Sequence, residues 1–489
     1  MSTRKKVGFI QFASSPVHFA GLLELAHDSY NEGNSVYFAI WGAQTHFPCR
    51  MSTNFQTLSK TIPRKIVSVL RIAAPESVIE NTAIFDRQWV SDMMAEMNQW
   101  LSSLKNIDDF SLLKIGEINP GPAIANEYVS ITQSRNTSPA ENIPIIRDLL
   151  RSYFEVFSAT QIWITRNSID KLFLFNGRFL HERAAWDAGR QIGVDIDIFE
   201  TTRNNLHVRA EGFHNRRHNQ KMMLEHWKVS TDSNQEKIKL SDLWFANLRG
   251  ESNPFSTNSS RKINIDAPFI LYFSNSDDEA IGFWEHWSQN LGTQIDCVKK
   301  LIKYFEARHE YTLIIRLHPN LASKPKLDQK EWINLASSKN VKIIGPTEKV
   351  SSYALIQECQ GVITFGSTIG IEAAYMEKPV MILADCKYDE LGFAYKPNDW
   401  STAFNWIENL RLVSVADLKK NRELSRIFGY FVLSGGNRFK YSNLEEVGWG
   451  SWKVNNFLGF NWVEPVLLSF YRRAILKMRT WRMTRKVKR

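Results

Sequence analysis

Residues 361–383, GVITFGSTIGIEAAYMEKPVMIL, carry the pattern that decides the fold. The β-branched run Gly361–Phe365 ends in Gly-Ser-Thr, a helical stretch follows near 368–377, and Val380–Leu383 is a second apolar run. Working outward, similar runs at Phe269–Phe273, Thr312–Leu317 and Val341–Ile344 alternate with helical segments near 279–308, 328–337 and 352–359. Short β-branched strands alternating with helices predict a parallel, doubly wound sheet covered on both faces. Upstream the order recurs. Val7–Ala13 reads as a strand, Phe19–Asn31 as a helix and Ser35–Trp41 as a strand. Helix candidates at Asn81–Leu104 and Asn142–Thr165 follow, then Leu172–Phe175, Arg178–Ile192 and Val194–Phe199 as strand, helix and strand. The predicted class is α/β, with two Rossmann-like domains facing a central cleft. Residues 1–228 form the first domain with helical insertions, and the Ser-, Asn-, Asp- and Lys-rich segment 229–266 a linker region. Residues 267–400 form the second domain, and 401–489 a helical segment with a basic tail.

With 489 residues, 43% hydrophobic and 23% charged, the composition is that of a globular protein and excludes disordered, collagenous and coiled-coil classes. The net charge of +10 is concentrated at one end: after Glu464 come nine basic and no acidic residues, which leaves +1 for residues 1–464. In that tail Leu468, Tyr471, Ile475, Met478 and Trp481 follow Pro465 at steps of three and four, the spacing of an amphipathic basic helix. Residues 465–489 are therefore expected to hold the protein peripherally on an anionic membrane surface, at the inner face of the cell membrane. No nucleic-acid recognition module accompanies the basic residues, so no nucleic-acid partner is expected. Arg4, Lys5 and Lys6 precede an apolar run too short for a signal peptide, and no run approaches 18 apolar residues. Cys49, Cys297, Cys359 and Cys386 show no CxxC pairing and read as buried free thiols of a cytoplasmic protein.

In open α/β sheets, ligands bind outside the carboxyl ends of the strands. Three strand ends in the second domain carry candidate donor-binding residues. Arg316 and His318-Pro319 are two apart, so both side chains project to one side, and the pair suits a phosphate. Gly366 lets backbone approach a ligand, Ser367 is placed as a helix N-cap at an anion site, and Thr368 and Glu372 share the next helix face, with Glu372 positioned for ribose hydroxyls. Ser274, Asn275 and Ser276, followed by Asp277, Asp278 and Glu279, lie on the same rim, as do Ser352 and Tyr353, placed to contact base or phosphate. No HExxH or Asp-x-Asp pattern suggests a metal, and no cofactor is expected.

These motifs resemble those of bacterial capsule and surface-polysaccharide glycosyltransferases of GT-B fold, including sialyl- and Kdo-transferases marked by an HP motif and a Ser-Ser/Thr motif. The matching positions are His318-Pro319 and Ser367-Thr368, and the resemblance spans roughly residues 267–390. It implies that these residues bind the phosphate and nucleotide of a nucleotide-sugar donor, commonly a CMP-sugar. The Asp/Glu-rich catalytic motif of sialyltransferases has no clear counterpart here. Polyol-phosphate transferases use related HP and Ser motifs, which makes phosphoalcohol transfer an alternative.

The first domain is expected to hold the acceptor and the base. Ser14, Ser15 and His18 follow its first strand, and a histidine there has a pKa suited to deprotonating a hydroxyl. Asn176 and Arg178, with Glu182 and Arg183 one turn on, occupy a strand–helix junction, and Glu200 ends the next strand. His18 and Glu200 are the catalytic candidates; Ser14, Ser15, Asn176 and Arg178 are candidates for the acceptor. His214, Arg216, Arg217 and His218 read as a basic surface or acceptor-facing patch. The expected function is transfer of a sugar from a nucleotide-sugar donor to a surface-polysaccharide or lipid-linked glycan. The rival readings are a sugar-nucleotide 2-epimerase and a non-catalytic nucleotide-sugar-binding assembly subunit.

Overall fold

A computed structural model of the chain describes residues 4–11, 16–40, 61–80, 84–202, 205–209, 216–249, 268–276, 281, 290–335, 340–448 and 451–461. The chain divides into two compact units, Met1–Phe213 with Gly436–Arg489, and His214–Gly435. The strands in chain order are β1 (Lys6–Gln11), β2 (Ser35–Ile40), β3 (Val78–Glu80), β4 (Lys171–Phe175), β5 (Asp195–Thr202), β6 (Asn205–Arg209), β7 (Phe269–Phe273), β8 (Thr312–Arg316), β9 (Val341–Ile344), β10 (Gly361–Thr364), β11 (Val380–Ile382), β12 (Asn437–Arg438), β13 (Ser442–Gly448), β14 (Ser451–Phe457) and β15 (Phe460–Asn461).

In the first unit the sheet order is β12-β6-β5-β4-β1-β2-β3, parallel from β5 to β3, with β6 and β12 added antiparallel at one edge. Phe9 stacks on Phe173 with ring centroids 5.1 Å apart, at the centre of a core shared with the Pro16–Asn31 helix. The second unit's sheet, β11-β10-β7-β8-β9, is parallel throughout. Strands β7, β8, β10 and β11 are buried on both faces, which is why they read as near-continuous apolar runs in the sequence, whereas the edge strand β9 exposes Lys342. Both units are therefore Rossmann-like, and the α/β class matches the expectation.

The boundaries differ from those expected. Within 229–266 lies a helix, Asn234–Arg249, with Trp244 and Phe245 buried; Ser241 Oγ donates to the Arg426 carbonyl of the Val415–Ser434 helix at 2.9 Å. It is part of the second unit, because its apolar side chains need that partner. The 401–489 segment is not uniformly helical. Helices Trp400–Glu408 and Val415–Ser434 lead into β12, which pairs with β6, and into the β13-β14-β15 sheet. The alternation Trp452, Lys453, Val454, Asn455 is a strand period, and Val454 is buried. The chain thus returns to the first unit at Gly436. Among the described residues no helix is long and apolar enough to cross a membrane. The amphipathic tail expected at 465–489 lies outside the described residues.

One carboxylate fastens the returning segment. Glu24 is 2% exposed and accepts backbone N–H groups from Lys440 (2.7 Å), Tyr441 (2.9 Å) and Ser442 (2.7 Å). Asp28, one helical turn on, accepts from the Tyr441 hydroxyl at 2.9 Å. Removing the Glu24 carboxylate strands three donors at once. Glu24→Ala is expected to destabilise the first unit by about 3 kcal/mol, since each unsatisfied buried donor costs roughly 1–3 kcal/mol. Hydrogen exchange checks this: the amides of β13 and β14 should lose protection before those of β1 and β4.

Candidate functional site

Because the second unit's sheet is parallel, the carboxyl ends of its strands share one edge, and the strand order reverses between β10 and β7. Ser274 leaves β7 at that point. Its N–H donates to the Arg316 carbonyl at 3.1 Å and its Oγ accepts the His318 N–H at 2.8 Å, tying the ends of β7 and β8 together. Asn275 and Ser276 continue the turn: the Asn275 N–H donates to Gln294 Oε1 at 2.6 Å, and Asn275 Oδ1 accepts the Ser276 N–H at 2.9 Å. Asp277, Asp278 and Glu279 lie outside the described residues.

His318 Nδ1 accepts the Asn320 N–H at 3.2 Å, just after Pro319 starts a 3₁₀ turn. A nitrogen that accepts carries no proton, so the neutral ring bears its hydrogen on Nε2, a donor suited to a phosphate oxygen. Arg316 does something else. Its guanidinium donates to the carbonyls of Gly345 and, at 3.1 Å, Glu348, and it is only 4% exposed. It braces the turn after β9 instead of standing beside His318 in the crevice. Residues two apart share a side only while the strand continues, and β8 ends at Arg316.

After β10 the chain turns sharply. Gly366 has φ +94°, and a Cβ there would lie 2.8 Å from Cys386 Cβ, so glycine is required. The Ser367 N–H donates to Thr364 Oγ1 at 3.1 Å, and the Tyr388 hydroxyl donates to the Ser367 carbonyl at 2.5 Å. Ser367 was expected to be the N-cap; the N-cap is Thr368, and it makes no side-chain cap bond. The tight turn held by Thr364 and Tyr388 shifts the helix start by one residue. The Ser367 and Thr368 hydroxyls are left without protein partners among the described residues, and Thr368 is exposed. Glu372 is 8% exposed and hydrogen-bonded to the Tyr353 hydroxyl, and burial pushes its carboxyl up to about 7. Ser352 begins the same helix as Tyr353, with Ser351 as its N-cap.

Sequence reasoning missed the support of this turn. Arg216 is buried, with Nε 2.9 Å from Asp385 and Nη1 2.7 Å from Asp389. Lys396 reaches Asp389 at 2.6 Å, and Gln220 donates to Asp389 Oδ1 at 2.8 Å. Arg216 is therefore an internal anchor, not part of a surface patch, because its carboxylate partners lie far along the sequence. Arg217 remains exposed beside Glu390, and His214 lies outside the described residues.

In the first unit, His18, Asn176 and Glu200 come together at the carboxyl edge of β1, β4 and β5. His18 Nδ1 is 2.6 Å from Thr201 Oγ1 and 3.8 Å from Glu200 Oε1, with side-chain exposures of 20% for His18 and 21% for Glu200. The imidazole packs on the Phe175 ring, centroids 4.0 Å apart, and burial lowers it to about 4, so it is neutral at pH 7. The Asn176 amide donates to Glu200 Oε2, and the Thr201 N–H to Oε1 at 3.0 Å. Asn176 has φ +55°, a conformation that asparagine tolerates, and the Arg178 N–H donates to its Oδ1 at 3.4 Å. Ser14 and Ser15 lie outside the described residues. Thr201 and Arg209 are additions to the expected set: burial lowers the Arg209 guanidinium to about 10, while the Glu200 carboxylate pulls it upward. Only β-pairing places β6 beside β5, so the sequence alone gave no signal for Arg209.

Residues 216–419 match the family described as capsule polysaccharide biosynthesis protein. The match begins at the Arg216 anchor and includes every strand end of the second site from β8 onward, as well as the Ser274 turn. No curated protein matches the chain in sequence. Among solved structures the chain is similar to Thermosulfurimonas dismutans KpsC, beta Kdo 2,4 transferase, with 12% identity over 54% of this chain and 79% of that one and a TM-score of 0.36. It is similar to the beta Kdo 2,7 transferase of the same organism, with 11% identity over 66% and 89% and a TM-score of 0.36. A third is the UDP co-structure of S. aureus MnaA, with 15% identity over 88% and 93% and a TM-score of 0.28. At these scores the structural likenesses carry no argument.

Glu182 adds a buried acid near this site, in the first turn of the Leu180–Ile192 helix. It is 1% exposed, and burial pushes it up to about 8 against the pull of its own backbone N–H. A raised carboxyl contributes full stability below its unfolded pKa, and the contribution fades as pH climbs toward the folded value. Glu182→Gln should therefore match wild type near pH 4 and become the more stable protein by pH 7, by on the order of 3 kcal/mol. Urea unfolding of both proteins across that range checks the sign.

Proposed function

We propose that the chain is a glycosyltransferase that moves a sugar from a nucleotide-sugar donor, with a CMP-sugar favoured, to a surface-polysaccharide or lipid-linked glycan acceptor. The observation that carries this reading is the set of hydrogen-bond donors gathered at the carboxyl edge of the second sheet. These are the Nε2–H of His318 and the hydroxyls of Ser367 and Thr368, set on turns braced by Ser274, Arg316 and Tyr388. They lie within the segment that matches the capsule polysaccharide biosynthesis family. Preorganised donors aimed at phosphate oxygens stabilise the charge that grows on a departing nucleotide.

On the first unit, His18 is the proposed base. Neutral at pH 7, it takes the acceptor hydroxyl proton as that oxygen bonds to the sugar's anomeric carbon and the bond from that carbon to the nucleotide phosphate breaks. Glu200, held by Asn176 and the Thr201 N–H, stabilises the imidazolium that results. Asn176 and Arg178 are proposed to hold the acceptor beside it.

A thermal-shift panel of CMP, UDP, GDP, dTDP and ADP tests the donor site. One nucleotide at about 100 times its dissociation constant should stabilise wild type by roughly 2.7 kcal/mol, and should shift neither His318→Ala nor Ser367→Ala. His18→Gln should keep the full nucleotide shift and lose about 10²–10⁴-fold in transfer rate. If a folded sample responds to none of the nucleotides, the transferase reading falls.

The basic tail, residues 465–489, is proposed to bind anionic membrane. In co-sedimentation, the full chain should pellet with phosphatidylglycerol vesicles and not with phosphatidylcholine vesicles, while a chain ending at Glu464 should stay in solution with both. Equal pelleting of the two chains would reject the tail as the anchor.

A further inference from the structure

The first unit carries a cavity that the transfer chemistry above does not use. Its volume is 440 Å³, and it is lined by the segment from Arg438 to Leu444 and by Asn456 of β14. That size falls in the range of small-ligand sites, roughly 300–1,000 Å³. Its wall is rigid. Glu24 holds the N–H groups of Lys440, Tyr441 and Ser442, and the Tyr441 ring packs edge-on against His27, centroids 4.4 Å apart.

The lining has a definite chemistry. No carboxylate is among the lining residues. The Arg438 guanidinium is exposed, and its recorded pairing, with Asn205 of β6, is through the backbone. Lys440 is the second cation, held 3.0 Å from Asp28. Asn443 and Asn456 offer amides that can both donate and accept, and Ser442 Oγ is buried with no hydrogen-bond partner. Phe439 supplies an apolar face. A cation for a carboxylate, amides for hydroxyls and an aromatic ring for the C–H face of a sugar together fit an acidic carbohydrate.

Its position links it to the proposed base. Glu24 is six residues beyond His18 on one helix, so the two are separated by roughly 9 Å along the helix axis. Phe439 and Leu444 pack against the small cluster of Val17, Ala20 and Val454, and Val17 is the residue before His18. We propose that this cavity is an acceptor subsite for a glycan bearing a sugar carboxylate. It holds residues behind the hydroxyl that His18 activates. The inference rests on the transferase reading.

The test is direct binding, without nucleotide, of trigalacturonate and of neutral maltotriose to the full-length protein at 0.15 M salt (about physiological ionic strength), by calorimetry. Trigalacturonate should bind at least tenfold more tightly than maltotriose. Arg438→Gln, which keeps the backbone pairing with β6, should weaken it at least tenfold, and so should Asn456→Ala. Maltotriose binding as tightly as the acid would overturn the assignment. So would no binding, or binding that both variants leave unchanged, as attraction to the basic tail alone would give. The nucleotide panel is independent of this cavity. A protein that passes that panel and ignores trigalacturonate loses only the subsite, and one that fails the panel loses the transferase reading itself.

Discussion

The geometry of the second unit depends on a buried ion cluster centred on Arg216. Its guanidinium spans Asp385 and Asp389, Lys396 closes the far side, and Gln220 satisfies the remaining Asp389 oxygen. Burying such charges gains little net stability, because desolvation offsets most of the attraction. What the cluster does is fix the path of the chain after β11. That path puts Tyr388 against the Ser367 carbonyl and Cys386 against Gly366, so the turn after β10 is set by residues outside the turn itself. A Cβ at Gly370 would lie 2.5 Å from the Tyr388 hydroxyl, which shows how closely the two segments are fitted.

The two candidate sites use the same sheet edge for different chemistry. In the second unit the candidate groups are neutral, the His318 imidazole and the Ser367 and Thr368 hydroxyls. In the first unit the cluster is acid–base: a histidine kept neutral by burial, a carboxylate within 3.8 Å, and an arginine behind it. Parallel strands collect such groups without requiring them to be near in sequence. His18 and Glu200 meet because β1 and β5 both flank β4.

That same property sets what could be read from the sequence. The strand Phe269–Phe273 was legible to the residue, since a fully buried strand leaves an unbroken apolar run; Val341–Ile344 was legible too, although as an edge strand it exposes Lys342. His18, Glu200, Asn176, His318 and Ser367 were legible as candidates because each stands where an apolar run stops. Their partners were not. Whether Arg316 faces a ligand or the Gly345 carbonyl depends on the turn after β9, and whether Arg216 is surface or core depends on carboxylates more than 160 residues away. The segments 229–266 and 437–461 misled for a related reason. Polar composition suggested a linker for the first, and the second was expected within a helical segment, but a few residues, Trp244, Phe245, Val454 and Phe457, carry the burial that makes them structure.

Glu372 shows how far such a misreading reaches into the site. Tyr353 has one phenolic proton and two acceptors in reach, Glu372 and the Leu248 carbonyl at 3.2 Å. The hydroxyl lies within reach of both as donor, a three-centre arrangement that ties Glu372 to the end of the Asn234–Arg249 helix. Burial lifts the Glu372 carboxyl to about 7, while the Tyr353 hydrogen bond and then the Arg249 charge oppose the shift. Leu248 and Arg249 close the Asn234–Arg249 helix, inside the stretch that composition marks as linker. The residue positioned by sequence for a ribose is therefore a clamp between that helix and the turn carrying Ser367. Its carboxyl is engaged by the fold, through the Tyr353 hydroxyl and the Arg249 charge.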